Sequence, residues 1–200
     1  MHTSPTVRST VSESDQLRAR LYRFLARALC REPDQSMLDG MSLLEGDETD
    51  LGAAFGALGE IAARTGLDAA RQEYFRLFIG MGRGELVPYG SYYLTGFLNE
   101  KPLARLRSDM SDLSIERADD VREPEDHAGA LMEMMAGLIE GDFGDEQPLA
   151  VQKDFFAKHV GSWMPHFFGD LECAKTACLY GPVGRIGRLF MEIEEAAFEM

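Results

Sequence analysis

The stretch REPEDHAGALMEMMAGLIE, residues 122–140, decides the fold, because a helix-start signal runs directly into one apolar helical stripe. With Glu123 at or just before the N-cap, Pro124 falls at the first helical position, where its missing N–H costs nothing. The acids that follow face the positive end of the helix dipole. Asp126 can also reach back to a free backbone N–H, as in a capping box. The pattern predicts a helix over residues 124–140.

His127 raises the question of chemistry, because an acid beside a histidine is a common way to build a catalytic base. Adjacent helical residues point about 100° apart, so Asp126 and His127 do not naturally form a hydrogen-bonded dyad, whereas Glu123, four residues earlier, can reach the imidazole. The spacing favours a buried or half-buried histidine that ties the helix to a neighbouring loop. It leaves open whether His127 also contacts a ligand. The same face carries Leu131, Met134, Met135 and Leu138.

Helical spacing of apolar residues recurs along most of the chain. A first stripe starts after the candidate N-caps Ser12 and Ser14, and the proline in REPD, residues 31–34, ends it. The sequence YGP at residues 180–182 is interpreted as the end of another helix. Alternating β-branched runs joined by a tight turn are absent, so the fold class is all-α. Further helical segments are predicted at residues 36–44, 51–64, 67–78, 102–113, 148–162, 166–179 and 183–193.

Length and composition indicate one globular domain. A chain of 200 residues buries about 70% of its unfolded surface, so neither disulfides nor metals are needed for a core. The hydrophobic share of 45% and the charged share of 27% are ordinary for such a protein. We expect a flexible tail over residues 1–13 and a single-domain helical bundle over residues 14–200.

The formal net charge of -14 restricts the partners. It argues against nucleic acid and against stable association with an anionic membrane, and it favours a cationic partner. Three cysteines without paired spacing favour a reducing compartment. The first residues lack the apolar stretch of a secretory signal, and no run approaches 18 apolar residues. The expected location is the cytoplasm.

Other candidate sites have weaker signals. The glycines of GMGRG, residues 80–84, lack the lysine and hydroxyl residue of a P-loop and follow a helix. His159 and His166 lie two turns apart, about 10 Å along a helix, too far to share a metal unless the helix breaks between them. Cys173 and Cys178 point to different sides of a helix. We therefore expect no metal site and no bound cofactor.

An aromatic stretch is the best binding candidate from physical reasoning alone. In VPYGSYYLTGF, residues 87–97, the glycines and Pro88 disfavour a continuous helix. Tyrosine clusters on loops recur at recognition surfaces, because each ring offers contact area and a polar tip. The alternative is that the rings fill gaps between helices, and both interpretations stay open. The aromatic residues are Tyr89, Tyr92, Tyr93 and Phe97.

Three segments in this order resemble the signature segments of the TorD/DmsD/NarJ family, cytoplasmic chaperones that mature molybdenum-containing redox enzymes. They are YFRLFIG at 74–80, ELVPYGSYYL at 85–94 and EPEDH at 123–127. The segment FFAKHVGSWMPHFFGDLECA at 155–174 resembles a later helix pair of that family. The likeness covers nearly the whole chain, and its specificity lies in the order and separation of the segments together.

The resemblance implies a TorD-like helical bundle and a non-catalytic role. Members bind the twin-arginine signal peptide, or another part of an apo-oxidoreductase, and hold back export until the molybdopterin cofactor is inserted. The implied partners are therefore an apo-molybdoenzyme catalytic subunit and its signal peptide. The residues that match the family's segments, and are expected to bind the client or shape its groove, are Tyr74, Leu77, Phe78, Pro88, Tyr89, Ser91, Tyr92, Glu123, Pro124, Asp126 and His127.

Two other classes of function remain as alternatives. A small helical hydrolase or nucleotide-processing enzyme would use Asp126 and His127 with Glu123 and would turn a substrate over. A helical regulatory or scaffold protein would bind a folded partner and ignore signal peptides. The chaperone hypothesis instead predicts stoichiometric binding. The client is not identified by any segment, and a homodimer formed by domain swapping is compatible with helices joined by long loops.

Overall fold

The structure, a computed structural model, describes residues 12–118 and 121–200. The predicted tail of residues 1–13 lies outside the described residues, except for its last two positions. Ser12 is the N-cap of the first helix, because its side chain accepts a hydrogen bond from the Asp15 N–H at 3.1 Å. A serine in this position typically stabilises a helix by about 1 kcal/mol.

The described residues contain ten α-helices, and the all-α prediction is confirmed. Outside them, the backbone of this part of the chain forms an isolated antiparallel bridge between Tyr89 and His127. None of the helices within residues 12–118 and 121–200 has the length and apolar character needed to cross a membrane. The helices are α1 Glu13–Cys30, α2 Gln35–Ser42, α3 Asp50–Ala62, α4 Leu67–Tyr74, α5 Gly90–Thr95, α6 Lys101–Asp112, α7 Ala128–Glu140, α8 Leu149–Phe155, α9 Met164–Glu172 and α10 Tyr180–Glu199.

Two of these helices continue as a single π-helical turn. Helix α4 runs on through Phe75–Ile79, and α8 runs on through Phe156–Val160. The N–H after each turn donates to the carbonyl five residues back, at 2.7 and 2.8 Å. A turn of this kind adds one residue to the helix and is frequent at functional sites. Both turns carry side chains that line or support the candidate site described below.

The core is built around α7, which packs along α1. Almost every residue of α7 is buried, including Met132, Met134 and Met135, so these methionines are core residues. The two helices approach closely at Gly129, where an added Cβ would lie 2.4 Å from the Cys30 Sγ. Burying each large apolar side chain contributes about 1.5–3 kcal/mol. This packing holds the start of α7 in a fixed position.

The interpretation of YGP as a helix end is wrong. Helix α9 already ends at Glu172, and Tyr180 is the first residue of α10. Pro182 then occupies the third position of α10, where a backbone N–H has no partner within the helix. The cap comes from Glu73 of α4, whose buried carboxylate accepts hydrogen bonds of 2.7, 3.1 and 2.8 Å from the N–H groups of Cys178, Leu179 and Tyr180.

Candidate functional site

Helix α7 begins at Ala128, four residues later than predicted, and Pro124 is not its first residue. His127 is the N-cap, since its Nδ1 accepts a hydrogen bond from the Gly129 N–H at 3.1 Å. Pro124 instead starts a turn, which closes when the His127 N–H donates to the Pro124 carbonyl at 3.1 Å. Asp126 therefore does not cap its own helix. The cause is the engagement of this turn by a distant part of the chain.

Residues 88–90 pair with residues 126–128 through two backbone hydrogen bonds of 2.9 and 2.8 Å, and the second of these uses the carbonyl of the buried Pro88. At the centre of this pairing, the rings of Tyr89 and His127 lie nearly edge to face, with centroids 5.2 Å apart. His127 is only 8% exposed. The prediction of a buried histidine that ties the helix to a neighbouring loop is confirmed.

Asp126 joins this turn to the start of α5. Its side chain is 3% exposed, and its Oδ2 accepts a hydrogen bond of 2.7 Å from the backbone N–H of Ser91. Its Oδ1 is buried and has no hydrogen-bond partner within the described residues, and the same holds for the Ser91 Oγ. A buried acceptor left unpaired costs about 1–3 kcal/mol. One oxygen of Asp126 is thus available to a donor that the described residues do not supply.

Asp126 and His127 do not form a dyad. The Nδ1 of His127 is occupied by the Gly129 N–H, which places the proton of the neutral ring on Nε2. Burial lowers the pKa of His127 to about 4, against the opposing effect of the charges on Glu123 and Asp126. The imidazole is therefore neutral at pH 7. The Glu123 carboxylate accepts its hydrogen bond from the Tyr89 hydroxyl, so the arrangement needed by the hydrolase alternative is not formed.

Three predicted site residues lie behind this pairing. Tyr74 and Leu77 are buried, and the Tyr74 hydroxyl donates to the Leu29 carbonyl at 3.0 Å. Phe78 is partly buried, and its ring lies 5.1 Å from that of Tyr74 in an edge contact. The Leu86 N–H bonds to the Leu77 carbonyl at 2.8 Å, which fixes the loop that leads to Tyr89. These three residues support the site from the core.

The stretch predicted to avoid a continuous helix contains one short helix, α5, and the gap-filling interpretation holds for one of its tyrosines. Tyr93 fills a gap, because its ring lies 5.3 Å from that of Trp163 and its hydroxyl donates to Asp170 at 2.9 Å. Tyr92 is half-buried near the surface, where Arg83 donates to its hydroxyl at 2.6 Å. Helix α5 fits against Trp163 because residue 90 is a glycine. In any other residue, the Cβ would lie 3.1 Å from the Trp163 Nε1.

A cleft of about 450 Å³ lies beside Asp126, between α5, α6 and the π-helical turn that follows α8. Its charged lining comprises Asp126, Arg105, Asp109, Lys158 and His159. The Nε2 of His159 lies 2.6 Å from an oxygen of Asp109. These two residues are fifty positions apart, so no local spacing pairs them and the sequence alone does not predict this cleft. The apolar lining is Leu94, Pro102, Leu106, Leu131 and Trp163.

The remaining candidates from the sequence do not form a site. No group of three or more His, Cys, Asp or Glu within residues 12–118 and 121–200 is placed to hold a metal ion. Cys173 and Cys178 are exposed free thiols. The glycines at 80–84 form a turn packed on the helix before it, since a Cβ at Gly84 would lie 2.5 Å from the Leu77 carbonyl oxygen.

Comparison with known proteins identifies relatives. Residues 44–169 match the family described as nitrate reductase delta subunit. The chain is 28% identical over 127 residues to the chaperone protein TorD of Vibrio cholerae. The matched segment covers 60% of this chain and 58% of that protein. This chain thus spans less than two thirds of the length of that relative. To the chaperone protein TorD of Vibrio atlanticus it is 25% identical over 201 residues, covering 90% of this chain and 94% of the relative.

The fold also has a solved counterpart. A candidate redox enzyme maturation protein from Archaeoglobus fulgidus superposes with a TM-score of 0.55 and 19% sequence identity. The superposition covers 94% of this chain and 99% of the other. At this identity the likeness concerns the fold alone, and it agrees with the predicted single helical bundle.

Proposed function

Because the chain belongs to the nitrate reductase delta subunit family, the family of the TorD and NarJ chaperones, we propose that it is a cytoplasmic maturation chaperone for a molybdenum-containing oxidoreductase. It binds the twin-arginine signal peptide or another part of the apo-enzyme and holds the client until its cofactor is inserted. The names of the Vibrio relatives support the chaperone role.

One observation carries the choice of binding site. Asp126 presents a buried, unpartnered carboxylate oxygen beside a cleft whose walls include Leu94, Leu106 and Trp163. A signal peptide combines a basic n-region with an apolar h-region of about 7–15 residues. A carboxylate beside apolar walls complements both parts. A guanidinium or amide N–H of the client is the kind of donor that the Asp126 Oδ1 lacks.

The charge of the cleft lining is balanced, with Asp126 and Asp109 against Arg105 and Lys158, so the electrostatic support for a basic ligand comes from Glu123 and from the chain as a whole. Glu123 is exposed beside Tyr89, and Glu125 forms ion pairs with Arg107 at 2.8 Å and with Arg117 at 3.7 Å. The whole chain carries a net charge of -14, which raises the rate of encounter with a basic segment. The half-buried Tyr89 borders the exposed acid and the buried His127. Its neighbour Gly90 lines the cleft, so Tyr89 is proposed to contact the part of the client that extends beyond it.

The energetics permit useful affinity. Burial of three or four apolar side chains of the client at about 1.5–3 kcal/mol each outweighs an ordering cost of about 2–5 kcal/mol. Near the upper end of these ranges the balance reaches the roughly 8 kcal/mol that micromolar binding requires. Binding of this kind is stoichiometric and needs no turnover.

The test is recovery of the client from the native host grown without oxygen. The tagged protein is purified from the cytoplasm, and bound proteins are identified and quantified by mass spectrometry. We expect an apo-molybdoenzyme that retains its signal peptide, in amounts strongly reduced by Asp126→Asn. The matched control is Asp112→Asn, an exposed carboxylate of α6 outside the cleft lining. Recovery of folded, mature proteins alone would contradict the proposal and favour a scaffold role.

The oligomeric state needs its own measurement, because a homodimer is part of the prediction. Light scattering after size exclusion, with and without the recovered client, separates a monomeric chaperone from a dimeric one. Either state is compatible with the proposed client site, so this measurement does not bear on Asp126.

A further inference from the structure

Charge is distributed unevenly over this chain. Residues 75–107 carry five cationic side chains against two carboxylates, a net charge of +3, so the rest of the chain carries -17. One of the two carboxylates, Glu85, is engaged by the backbone N–H groups of Lys175 and Thr176 at 2.6 and 3.2 Å. A net positive region in a chain of -14 is a local feature that the overall charge does not reveal.

The same region exposes large apolar side chains. Met81 is 97% exposed and Phe97 is 69% exposed. Single exposed apolar residues are ordinary, but several within one short stretch mark an interaction surface. The exposed apolar residues of this stretch are Phe75, Ile79, Met81, Leu94, Phe97 and Leu98. Together with the exposed cations of residues 76–105 they form what we call the basic apolar surface.

Direct contacts connect the two halves of this surface. After the π-helical turn the chain reverses at Gly80, which has a φ of 62°, and the Glu85 N–H returns to the Arg76 carbonyl at 3.0 Å. From this loop the Arg83 guanidinium lies 5.1 Å from the centre of the Tyr92 ring on α5. Helix α5 leads at once to Phe97. The loop after α4 and the end of α5 therefore present their exposed side chains from adjoining elements.

Four cations of this surface form no ion pair within the described residues, although Arg76 and Arg83 donate to the neutral groups of Gln72 and Tyr92. Within the described residues, no carboxylate lies within 4.0 Å of the charged nitrogens of Arg76, Arg83, Lys101 or Arg105. By contrast, Arg107 at the edge of the region is paired with Glu125. Unpaired arginines beside exposed aromatic and methionine side chains are the composition enriched at protein interfaces.

We propose that the basic apolar surface docks an acidic, apolar segment of polypeptide. A second copy of this chain fits poorly, because a two-fold contact would oppose the cations to themselves. A head-to-tail contact would place the cations of one copy on the acidic surface of the next, but such contacts build an open chain of copies and not a closed dimer. An anionic membrane also fits poorly, since the remaining charge of -17 opposes its approach. A polypeptide that carries acids among apolar residues satisfies both halves of the surface.

The basic apolar surface adjoins the proposed signal-peptide site, since Leu94 and Arg105 belong to both, but the ligand that it favours has the opposite charge. The cleft beside Asp126 favours a basic ligand, and the basic apolar surface favours an acidic one. Two probe peptides of opposite charge therefore test the two proposals separately. One is a fluorescein-labelled amphipathic peptide of leucine, alanine and glutamate, and the other has lysine in place of each glutamate.

Fluorescence anisotropy with the full chain provides the measurement. We expect the glutamate peptide to bind, with an affinity that falls as salt is raised. The double reversal R76E/K101E, and separately the pair M81S/F97S, should weaken this binding about tenfold or more. Both double variants, R76E/K101E and M81S/F97S, should still bind the lysine peptide. Matched controls are R20E/R64E and L43S, which alter exposed residues outside the surface and should leave the glutamate peptide bound.

Three other outcomes overturn the proposal. Equal binding of the glutamate peptide by the surface variants and the controls would place its site elsewhere. Sedimentation of the protein with phosphatidylglycerol vesicles, in the absence of glutamate-peptide binding, would make this a lipid-facing surface. Salt-sensitive self-association that R76E/K101E abolishes would make it a contact between copies. Loss of the lysine peptide alone, through Asp126→Asn, would concern the cleft and leave this surface untouched. Circular dichroism of every variant confirms that the helices are retained.

Discussion

Tyr89 and His127 pair across an antiparallel bridge, and their rings meet at 72° with centroids 5.2 Å apart. The contact lies where α7 begins and where the loop before α5 ends. His127 contributes its Nδ1 to the helix cap, and Tyr89 contributes its hydroxyl to Glu123. One pair of side chains thus links the most buried helix of the bundle to the exposed carboxylate of Glu123.

The burial of His127 predicts a pH dependence of stability. Its pKa in the folded protein is lowered from 6.5 to about 4. As the pH falls, His127 therefore takes up a proton in the unfolded chain before it does so in the folded one. Its contribution to the free energy of unfolding is complete above pH 6.5 and is lost as the pH falls towards 4. His127→Asn keeps an N-cap acceptor but does not titrate. We expect the wild type to lose about 2–3 kcal/mol relative to this variant between pH 7 and pH 4.5.

Urea denaturation at a series of pH values measures this difference. The carboxylates titrate in both proteins, so their contribution cancels in the comparison. Curves that stay parallel from pH 7 to pH 4.5 would mean that the folded protein does not hold His127 neutral.

Two substitutions at Asp126 separate its structural role from its proposed binding role. Asp126→Ala leaves the buried Ser91 N–H without an acceptor and should lower the free energy of unfolding by about 1–3 kcal/mol. Asp126→Asn keeps an acceptor for that N–H and should cost less. Both variants should recover less client from the host. Denaturation and client recovery are measured on the same preparations, and full recovery of the client by Asp126→Asn would leave Asp126 with only its structural hydrogen bond from Ser91.

The hydrogen bond between Tyr89 and Glu123 predicts an energetic coupling. Tyr89→Phe removes the donor and Glu123→Gln removes the charge of the acceptor, without changing the packing. Because Glu123 is exposed, we expect a coupling of about 1 kcal/mol in a double-mutant cycle of unfolding free energies. The control cycle replaces Tyr89→Phe by Tyr93→Phe, whose hydroxyl bonds to Asp170. That cycle should show no coupling, and equal values in the two would refute the pairing.

The contact of α9 with α10 predicts opposite effects for two glycines. A Cβ at Gly184 would lie 2.4 Å from the backbone nitrogen of Glu172, so Gly184→Ala should destabilise the protein by about 1–3 kcal/mol or more. At Gly169 of α9 the nearest atom is 4.0 Å away, on the Arg188 side chain. Gly169→Ala should stabilise by about 0.5–1 kcal/mol, since alanine is the better helix former. Thermal unfolding of both variants measures the contrast.

The predictions that succeeded rest on local interactions. The apolar stripe and the serine cap of α1 are neighbours in sequence, so their pattern predicts both the helix and its start. The start of α7 was predicted by the same logic and was wrong. A local cap contributes only about 1 kcal/mol. Two interactions with a distant segment together outweigh the local cap predicted for a helix that starts at residue 124. They are the backbone pairing with residues 88–90 and the hydrogen bond that the Ser91 N–H donates to Asp126.

The cleft could not be predicted for a related reason. Its lining joins Asp109 of α6 to His159 of a π-helical turn, and fifty positions separate these two residues in the sequence. The resemblance to a family located the turn around Asp126 and the loop around Tyr89. It did not distinguish residues at the surface, such as Tyr92, from supporting residues in the core, such as Leu77.

The cap that Glu73 provides for α10 has a consequence for biosynthesis. The carboxylate and the N–H groups that it accepts lie more than one hundred positions apart. At about 5–20 residues per second, the ribosome needs on the order of 5–20 s to synthesise the chain between them. During that interval Glu73 has no N–H of residues 178–180 to accept from. Helix α10 can therefore receive this cap only from a segment that was synthesised much earlier.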